Sequence, residues 1–307
     1  MSVSDPWALT CGVPQGSVLS PMLFNIYMQP LGEIIKGFGL GVHQYADDTQ
    51  LYLSFKSEPV KAVKVLCECL EAVGGWVAAN RLRLNPVKTE VLFLGDRRRA
   101  GVEDSLVLNG VTVPLKDQVC SLGVILDSQL SMEAQVKSVS RAAVYQLHLV
   151  RRLRPYLPAD CLTRMVHALV ISRLDYCNAL YVGLPLKVTR KLQLIQNAAA
   201  RLVTGSSHRD HITPVLKAHW LPVRFQAEFK VLVLTFKALN GLGLVYLKEC
   251  LHPHCSTWTL RSSTEGLLAV PSLREAKLQE PGRGAVLGSG ALPVECPPIR
   301  CQGNKQL

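Results

Sequence analysis

Two adjacent carboxylates, Asp47 and Asp48, lie in the run Tyr45-Ala46-Asp47-Asp48, downstream of the run Gly12-Val13-Pro14-Gln15-Gly16-Ser17. A carboxylate pair on a rigid hairpin offers hard oxygen ligands to a divalent cation, the ligand chemistry that phosphoryl transfer requires. A Gly/Pro-containing loop that opens a helix lets backbone approach a nucleotide or base pair without a side-chain clash. Further on, Lys88 in Leu84-Asn85-Pro86-Val87-Lys88-Thr89 can meet the charge that develops on a pyrophosphate. Adjacent aspartates alone are more often ordinary turn residues. The order of loop, pair and lysine is what favours chemistry. A second cluster, Cys250, His252, His254 and Cys255, has metal-binding residue types, but its spacing matches no familiar zinc module, and no structural zinc is expected.

The elements that must position these groups follow from periodicity and turn chemistry. Ser20 as N-cap and Pro21 at the first helical position start a helix, with Leu23, Ile26 and Tyr27 as one apolar face up to Pro30. Residues 42–55 form two strand-like arms around Asp47-Asp48, a β-hairpin with the acidic pair at its tip. Residues 60–77 are helical by spacing, with Val63, Leu66, Leu70 and Val73 on one face. Short strands with turns at Asn85-Pro86 and Asn109-Gly110 fill 83–94 and 107–126. Past Ser128 the pattern is helical: amphipathic stretches cover 132–153, 159–180, 188–203 and 225–239, with Gly205 placed to cap the third. On 188–203 the apolar stripe is Val188, Leu192, Ile195, Ala199 and Leu202. Lys187, Arg190, Gln193, Asn197 and Arg201 face the other way. From His252 periodicity fades and Gly, Pro and Ser accumulate.

Composition bounds the function. The 307 residues are 48% hydrophobic and 19% charged, which excludes a disordered or collagen-like chain. No apolar run is long enough for a membrane span, and the first residues lack the basic start and apolar core of a signal peptide, so an intracellular protein, nuclear or cytoplasmic and not secreted, is expected. The 10 cysteines are then expected to be reduced thiols. Residues 1–126 hold 11 Lys+Arg against 12 Asp+Glu, a net of −1. Residues 127–307 hold 23 against 11, a net of +12, which together make the +11 of the whole chain. A near-neutral part joined to a basic part suggests chemistry in the first and a polyanion partner in the second.

The residues Gly12 to Ser17 followed by Leu19-Ser20-Pro21, then Tyr45 to Asp48, then residues 84–94, then residues 121–127 (SLGVILD), resemble consecutive blocks of reverse transcriptases from non-LTR (LINE-type) retrotransposons. Residues 173–178 (RLDYCN) and 192–197 (LQLIQN) are similar to the thumb region of the same elements. The resemblance implies an α+β fold, a partial right-hand polymerase palm (an antiparallel sheet with helices) followed by an all-helical thumb. The implied organisation is a partial palm at 1–126, a basic helical thumb at 127–251 and an irregular tail at 252–307. It implies an RNA-directed DNA polymerase with Asp47 and Asp48 as catalytic Mg2+ ligands, Mn2+ being an alternative. Lys88 then assists phosphoryl transfer, and Pro14, Gln15, Gly16 and Tyr45 lie against the nascent base pair and incoming deoxynucleoside triphosphate. Gly123, in the primer-grip block, joins Lys187, Arg190 and Arg201 in contacting an RNA template and DNA primer.

In the family a further aspartate lies on a strand well before the GVPQGS loop, so the expectation is the C-terminal part of a polymerase, inactive alone, with an unpaired sheet edge beside the YADD hairpin. The alternative is a remnant that binds nucleic acid without catalysis; a protein-interaction module is a weaker third reading.

Overall fold

The computed structural model describes residues 16–55, 59–85, 87–95, 104–108, 111–207, 209–252, 268–269 and 285–291. The chain divides into two compact units, residues 1–119 with 280–307, and residues 120–279. The sequence reading places its boundary at 126; the structure passes from one unit to the other at Val119, one strand earlier.

The first unit is built on a six-stranded sheet in the order β1-β2-β8-β3-β5-β4. β1 (Gly41–Tyr45) and β2 (Asp48–Ser54) form the acidic hairpin, antiparallel, with Tyr45 opposite Asp48. β3 is Glu90–Leu94, β4 Ser105–Leu108 and β5 Val111–Lys116. β8, Ala285–Ala291, comes from the tail and pairs antiparallel with β2 on one side and β3 on the other. The expected unpaired edge at the acidic hairpin lies on its β1 arm, the end strand of the sheet among the described residues, while β8 lies beside β2 along its whole length, from Asp48 opposite Ala291 to Ser54 opposite Ala285. The sheet is not purely antiparallel, which corrects the expected palm sheet: β3 and β5 run parallel, with Val91 opposite Leu115, and the Lys116 ammonium meets the Glu90 carboxylate at 2.6 Å. The tail, read as irregular, supplies a central strand.

Two helices accompany this sheet. α1 spans Ser20–Gly37, but its buried residues are Met28, Leu31, Gly32 and Ile35, while Leu23, Ile26 and Tyr27 stay largely exposed. Pro30 lies inside the helix rather than ending it. The cap is also shifted by one residue: Leu19 occupies the N-cap position and the Ser17 hydroxyl accepts from the Ser20 N–H at 3.2 Å. α2 spans Pro59–Ala79 and buries Leu66, Cys69, Val73 and Val77, close to the predicted face. Tyr27 ties the two helices by donating to the Asn80 carbonyl at 2.7 Å. The core of the unit joins these helix faces to Leu51, Val91, Phe93, Leu106, Val113 and Leu115.

The second unit opens with the hairpin of β6 (Gln118–Ser121) and β7 (Val124–Asp127) and is otherwise helical. α3 is Glu133–Leu153; α4 is Ala159–Val166, continued by a π-helical stretch and the short α5, Ser172–Asp175. α6 is Leu186–Thr204, with Gly205 in the left-handed conformation as predicted (φ 73), α7 Ile212–His219, α8 Val223–Leu239 and α9 Val245–Glu249. Val136, Leu147, Val150, Val166, Val170, Leu174, Leu192 and Ala199 form its core. Among the described residues no helix is long and apolar enough to cross a membrane.

Proline cannot donate to a ladder, and an interior strand has partners on both sides. Leu287→Pro in β8 is therefore expected to unfold the first unit while leaving the second intact. Thermal unfolding should show one transition lost and one kept, and limited proteolysis should leave a fragment that begins near Cys120. Cys69 is fully buried and its thiol is pushed up to about 11 by burial, so it should resist a thiol reagent until the first unit unfolds, whereas the exposed Cys120, Cys161, Cys177 and Cys250 react first.

Candidate active site and nucleic-acid interface

The hairpin places the acidic pair by register. Ala46 takes a left-handed conformation (φ 53) and Asp47 completes the two-residue turn, so Asp48 is the first paired residue of β2. α1 supports the other arm: Gln44 donates to the Met28 carbonyl at 3.3 Å, and its Oε1 lies where a Cβ on Gly32 would come within 2.9 Å. Lower down, the Tyr52 ring covers Gly41 and stacks on His43 with centroids 5.1 Å apart. The turn is thus the end of a stiff ribbon, held by α1 on one strand and β8 on the other.

Both carboxylates are half-buried. Burial pushes the Asp48 carboxyl above the usual carboxylate value, the Asp47 charge pushes it the same way, and the Lys88 charge pulls it partly back. Three of the sequence-predicted catalytic residues therefore act on one another here. Lys88 itself is set by an Asx turn: Asn85 Oδ1 accepts from the Val87 and Lys88 N–H groups at 3.0 and 3.3 Å, and the Asn85 carbonyl accepts from the Lys88 and Thr89 N–H groups. Tyr45 is 69% exposed beside the pair. Gly16 is exposed with φ 87 and open space where a Cβ would be; Pro14 and Gln15 lie outside the described residues.

Two like charges held together on an accessible turn form part of a hard-cation site, since a divalent ion relieves both their repulsion and the raised Asp48 carboxyl. Among the described residues no group of three or more His, Cys, Asp or Glu side chains could hold a metal. The donor set on this hairpin is therefore two carboxylates.

In the second unit Gly123 (φ 79) and Leu122 (φ 47) form the turn of the β6–β7 hairpin. Behind it, the Asp127 carboxylate accepts from the Gln129, Ser131 and Met132 N–H groups and the Ser131 hydroxyl, and Gln135 Oε1 accepts from the Ile125 N–H at 2.9 Å. These bonds fix the hairpin to the start of α3.

The polar face predicted on α6 is divided. Lys187 and Arg190 are exposed. Gln193 and Asn197 are not free: Gln193 donates to Gln196 and Asn197 and accepts from the Val223 N–H, while the fully buried Gln196 donates to the Leu221 carbonyl. That network seats the start of α8. Arg201 donates to the Ser207 and Asp210 carbonyls, bracing the loop after α6. A more open basic face is on α3, where Lys137, Arg141, Tyr145, His148 and Arg152 are all exposed, opposite the buried Val136, Ala143, Leu147 and Val150. Sequence reasoning missed it, although the spacing of i, i+4, i+8, i+11 and i+15 puts these five residues within one quarter of the helix surface.

Comparison with known proteins agrees with the resemblance read from the sequence. Residues 4–126 match the family described as reverse transcriptase (RNA-dependent DNA polymerase). The chain is 26% identical over 212 residues to a probable RNA-directed DNA polymerase from transposon BS of Drosophila melanogaster, an alignment that covers 66% of this chain and 23% of that protein. It is 26% identical over 207 residues to the RNA-directed DNA polymerase from mobile element jockey of Drosophila funebris, covering 64% of this chain and 22% of that one. No solved structure gives a significant match. The similarity to reverse transcriptases of non-LTR mobile elements is thus borne out over about two thirds of the chain, which spans under a quarter of the length of these curated relatives. Divalent metal use is general in this family.

Because the Asp48 carboxyl is raised in the folded state, the folded chain holds its proton to higher pH than the unfolded chain, and stability is lost as pH rises through that interval. Asp48→Asn should therefore raise the melting temperature of the metal-free protein near neutral pH, with the gap closing as pH falls toward about 4. Added Mn2+ should raise the melting temperature of the wild type with a roughly millimolar midpoint, and Asp47→Asn should remove most of that gain.

Proposed function

We propose that this chain is the palm and thumb part of the reverse transcriptase of a non-LTR retrotransposon, an intracellular RNA-directed DNA polymerase that works on an RNA template, a DNA primer and deoxynucleoside triphosphates. The observation that carries the reading is the hairpin turn on which Asp47 and Asp48 meet within range of the Lys88 charge. Phosphoryl transfer needs little covalent chemistry from the protein and much positioning and charge stabilisation. Asp47 and Asp48 would hold Mg2+, which when bound supplies positive charge to the phosphoryl oxygens. Lys88, exposed and set by the Asn85 turn, offers an ammonium to the leaving pyrophosphate and can give it a proton. Gly16 leaves room for a base pair to approach the backbone, with Pro14 and Gln15 beside it in sequence and Tyr45 exposed by the turn. Lys187 and Arg190, with the α3 face, supply charge for the phosphates of a primer–template duplex, and Gly123 lies in the turn that meets the primer.

The two-carboxylate donor set favours a second reading of this chain by itself, a nucleic-acid binder without catalysis. Fewer charged oxygens offset the dehydration of Mg2+ less well. The purified chain should bind a primer–template duplex and yield no extended primer. Extension abolished by Asp47→Ala would refute the inactivity of the chain alone, and absence of duplex binding would refute the polymerase reading. Binding should weaken steeply with salt, and replacing Arg141 and Arg152 together with Gln should reduce the log–log slope by about 2. Arg201→Gln should change it by well under 1, because Arg201 is already engaged with backbone carbonyls.

A further inference from the structure

α8 (Val223–Leu239) is apolar on two opposite faces of unequal size. The inner face is made of small residues: Val223, Ala227 and Ala238 are buried and Val231 is half-buried, and the helix packs within the second unit against α6 and the turn Asn178–Tyr181. The outer face is made of large ones. Phe225, Phe229, Leu232, Phe236 and Leu239 are 50%, 60%, 65%, 61% and 42% exposed. Apolar residues all round a helix are the pattern of a buried helix, and a contiguous exposed patch of this kind marks an interaction surface.

The spacing tells what kind of partner fits. The five residues stand at i, i+4, i+7, i+11 and i+14, the alternation of fours and threes that makes a coiled-coil seam, and they fall within about a quarter of the helix surface. Charged groups keep clear of that seam. Lys230 and Lys237 lie more than about 120° around the helix from its midline, and the Lys230 charge acts on Asp175 of the same unit. On one flank Arg224 and Glu228 bond to each other at 2.9 Å.

The seam also fits itself. With two helices antiparallel about a two-fold axis at the level of residues 230 and 231, Phe225 meets Phe236 of the second copy and Phe229 meets its Leu232. Glu228 then stands opposite Thr235 and meets no like charge. At about 200 Å² for a whole aromatic side chain, the exposed fractions offer roughly 500 Å² per copy, so a pair buries about 1,000 Å², the area at which a specific interface begins.

We propose that the outer face of α8 is a self-association surface through which two copies of this chain pair in antiparallel fashion. The proposal does not depend on the polymerase reading.

The test uses the full chain, treated with nuclease, in sedimentation velocity over a range of concentrations. A monomer–dimer equilibrium with a roughly micromolar midpoint is expected. It should hold or tighten as salt rises, since apolar contact is not screened and the repulsion between two basic units is. Phe229→Glu together with Leu232→Glu puts four carboxylates into the paired seam and should weaken the dimer at least about a hundredfold. Both sites are exposed, so the melting temperature of the double variant should stay within about 2 °C of wild type. A photoreactive p-benzoylphenylalanine in place of Phe236, in a mixture of isotope-labelled and unlabelled copies, should crosslink to residues around Phe225 of the other copy. A chain that stays monomeric at about 100 µM, a dimer that the double variant keeps, or a dimer that weakens with salt overturns the proposal. So does a crosslink within one copy, which assigns the cover to another segment of the same chain, or a crosslink between copies near Phe236, which makes the pair parallel. Where the double variant melts far below wild type, the crosslink from position 236 decides in its place.

Discussion

The backbone ladder on both sides of β8 is the interaction on which the first unit depends. β2 and β3 are separated in sequence by a long helix and have no direct pairing; the tail strand joins them. Its residues, Ala285 to Ala291, include two glycines and a serine, types with weak strand preference. What holds such a segment is the row of N–H and C=O groups on each neighbour, which would otherwise need other partners. The register then matters for chemistry, because the last residue of β8 lies opposite Asp48. The stiffness of the carboxylate turn is therefore tied to a strand from the far end of the chain.

The same turn carries an electrostatic cost in the free protein. Asp47 and Asp48 adjoin by covalent sequence, so no folding step can separate them, and half-burial removes part of the solvent that would screen their repulsion. Lys88 offsets only some of it. A group that is unfavourable without ligand becomes a source of ligand affinity, since whatever neutralises the pair recovers that free energy by mass action. The second unit has the complementary charge, with its exposed cations on α3 and the start of α6. Negative charge that wants a cation and positive charge that wants phosphate are the two demands that the proposed polymerase reading makes of the chain.

Local signals were legible in the sequence, and non-local ones were not. The acidic hairpin follows from two strand-like arms around a turn, and α2, α3 and α6 follow from 3.6-residue spacing. The GVPQGS-to-SLGVILD order carried the resemblance. Three features failed for physical reasons. β8 could not be read because its strand character comes from its neighbours and not from its composition. The buried face of α1 was misassigned because Leu23, Ile26 and Tyr27 are as apolar as Met28, Leu31 and Ile35, and only the position of the sheet decides between the two stripes. The parallel pairing of β3 with β5 depends on a crossover that short strands do not announce. Of the candidate site, the proximity of Lys88 to Asp48 was legible only through the resemblance, since the spacing of the two residues does not by itself bring them together.

The contrast between α6 and α3 shows why charge and periodicity do not suffice to locate a polyanion surface. Both helices present polar residues opposite an apolar stripe, and on a helical wheel α6 is as convincing as α3. On α6, however, Gln193, Gln196 and Asn197 are used up in satisfying one another and the backbone that enters α8, and Arg201 is spent on the carbonyls of Ser207 and Asp210. A guanidinium that already satisfies two carbonyls must give up those bonds to meet a phosphate, so its net contribution to binding is small. The described structure shows no hydrogen bond or ion pair competing for the cations of Lys137, Arg141 and Arg152, and Tyr145 among them adds a face on which a sugar or base can rest. The availability of donors, set by what the fold itself consumes, favours α3 over the second half of α6 for the proposed duplex contact.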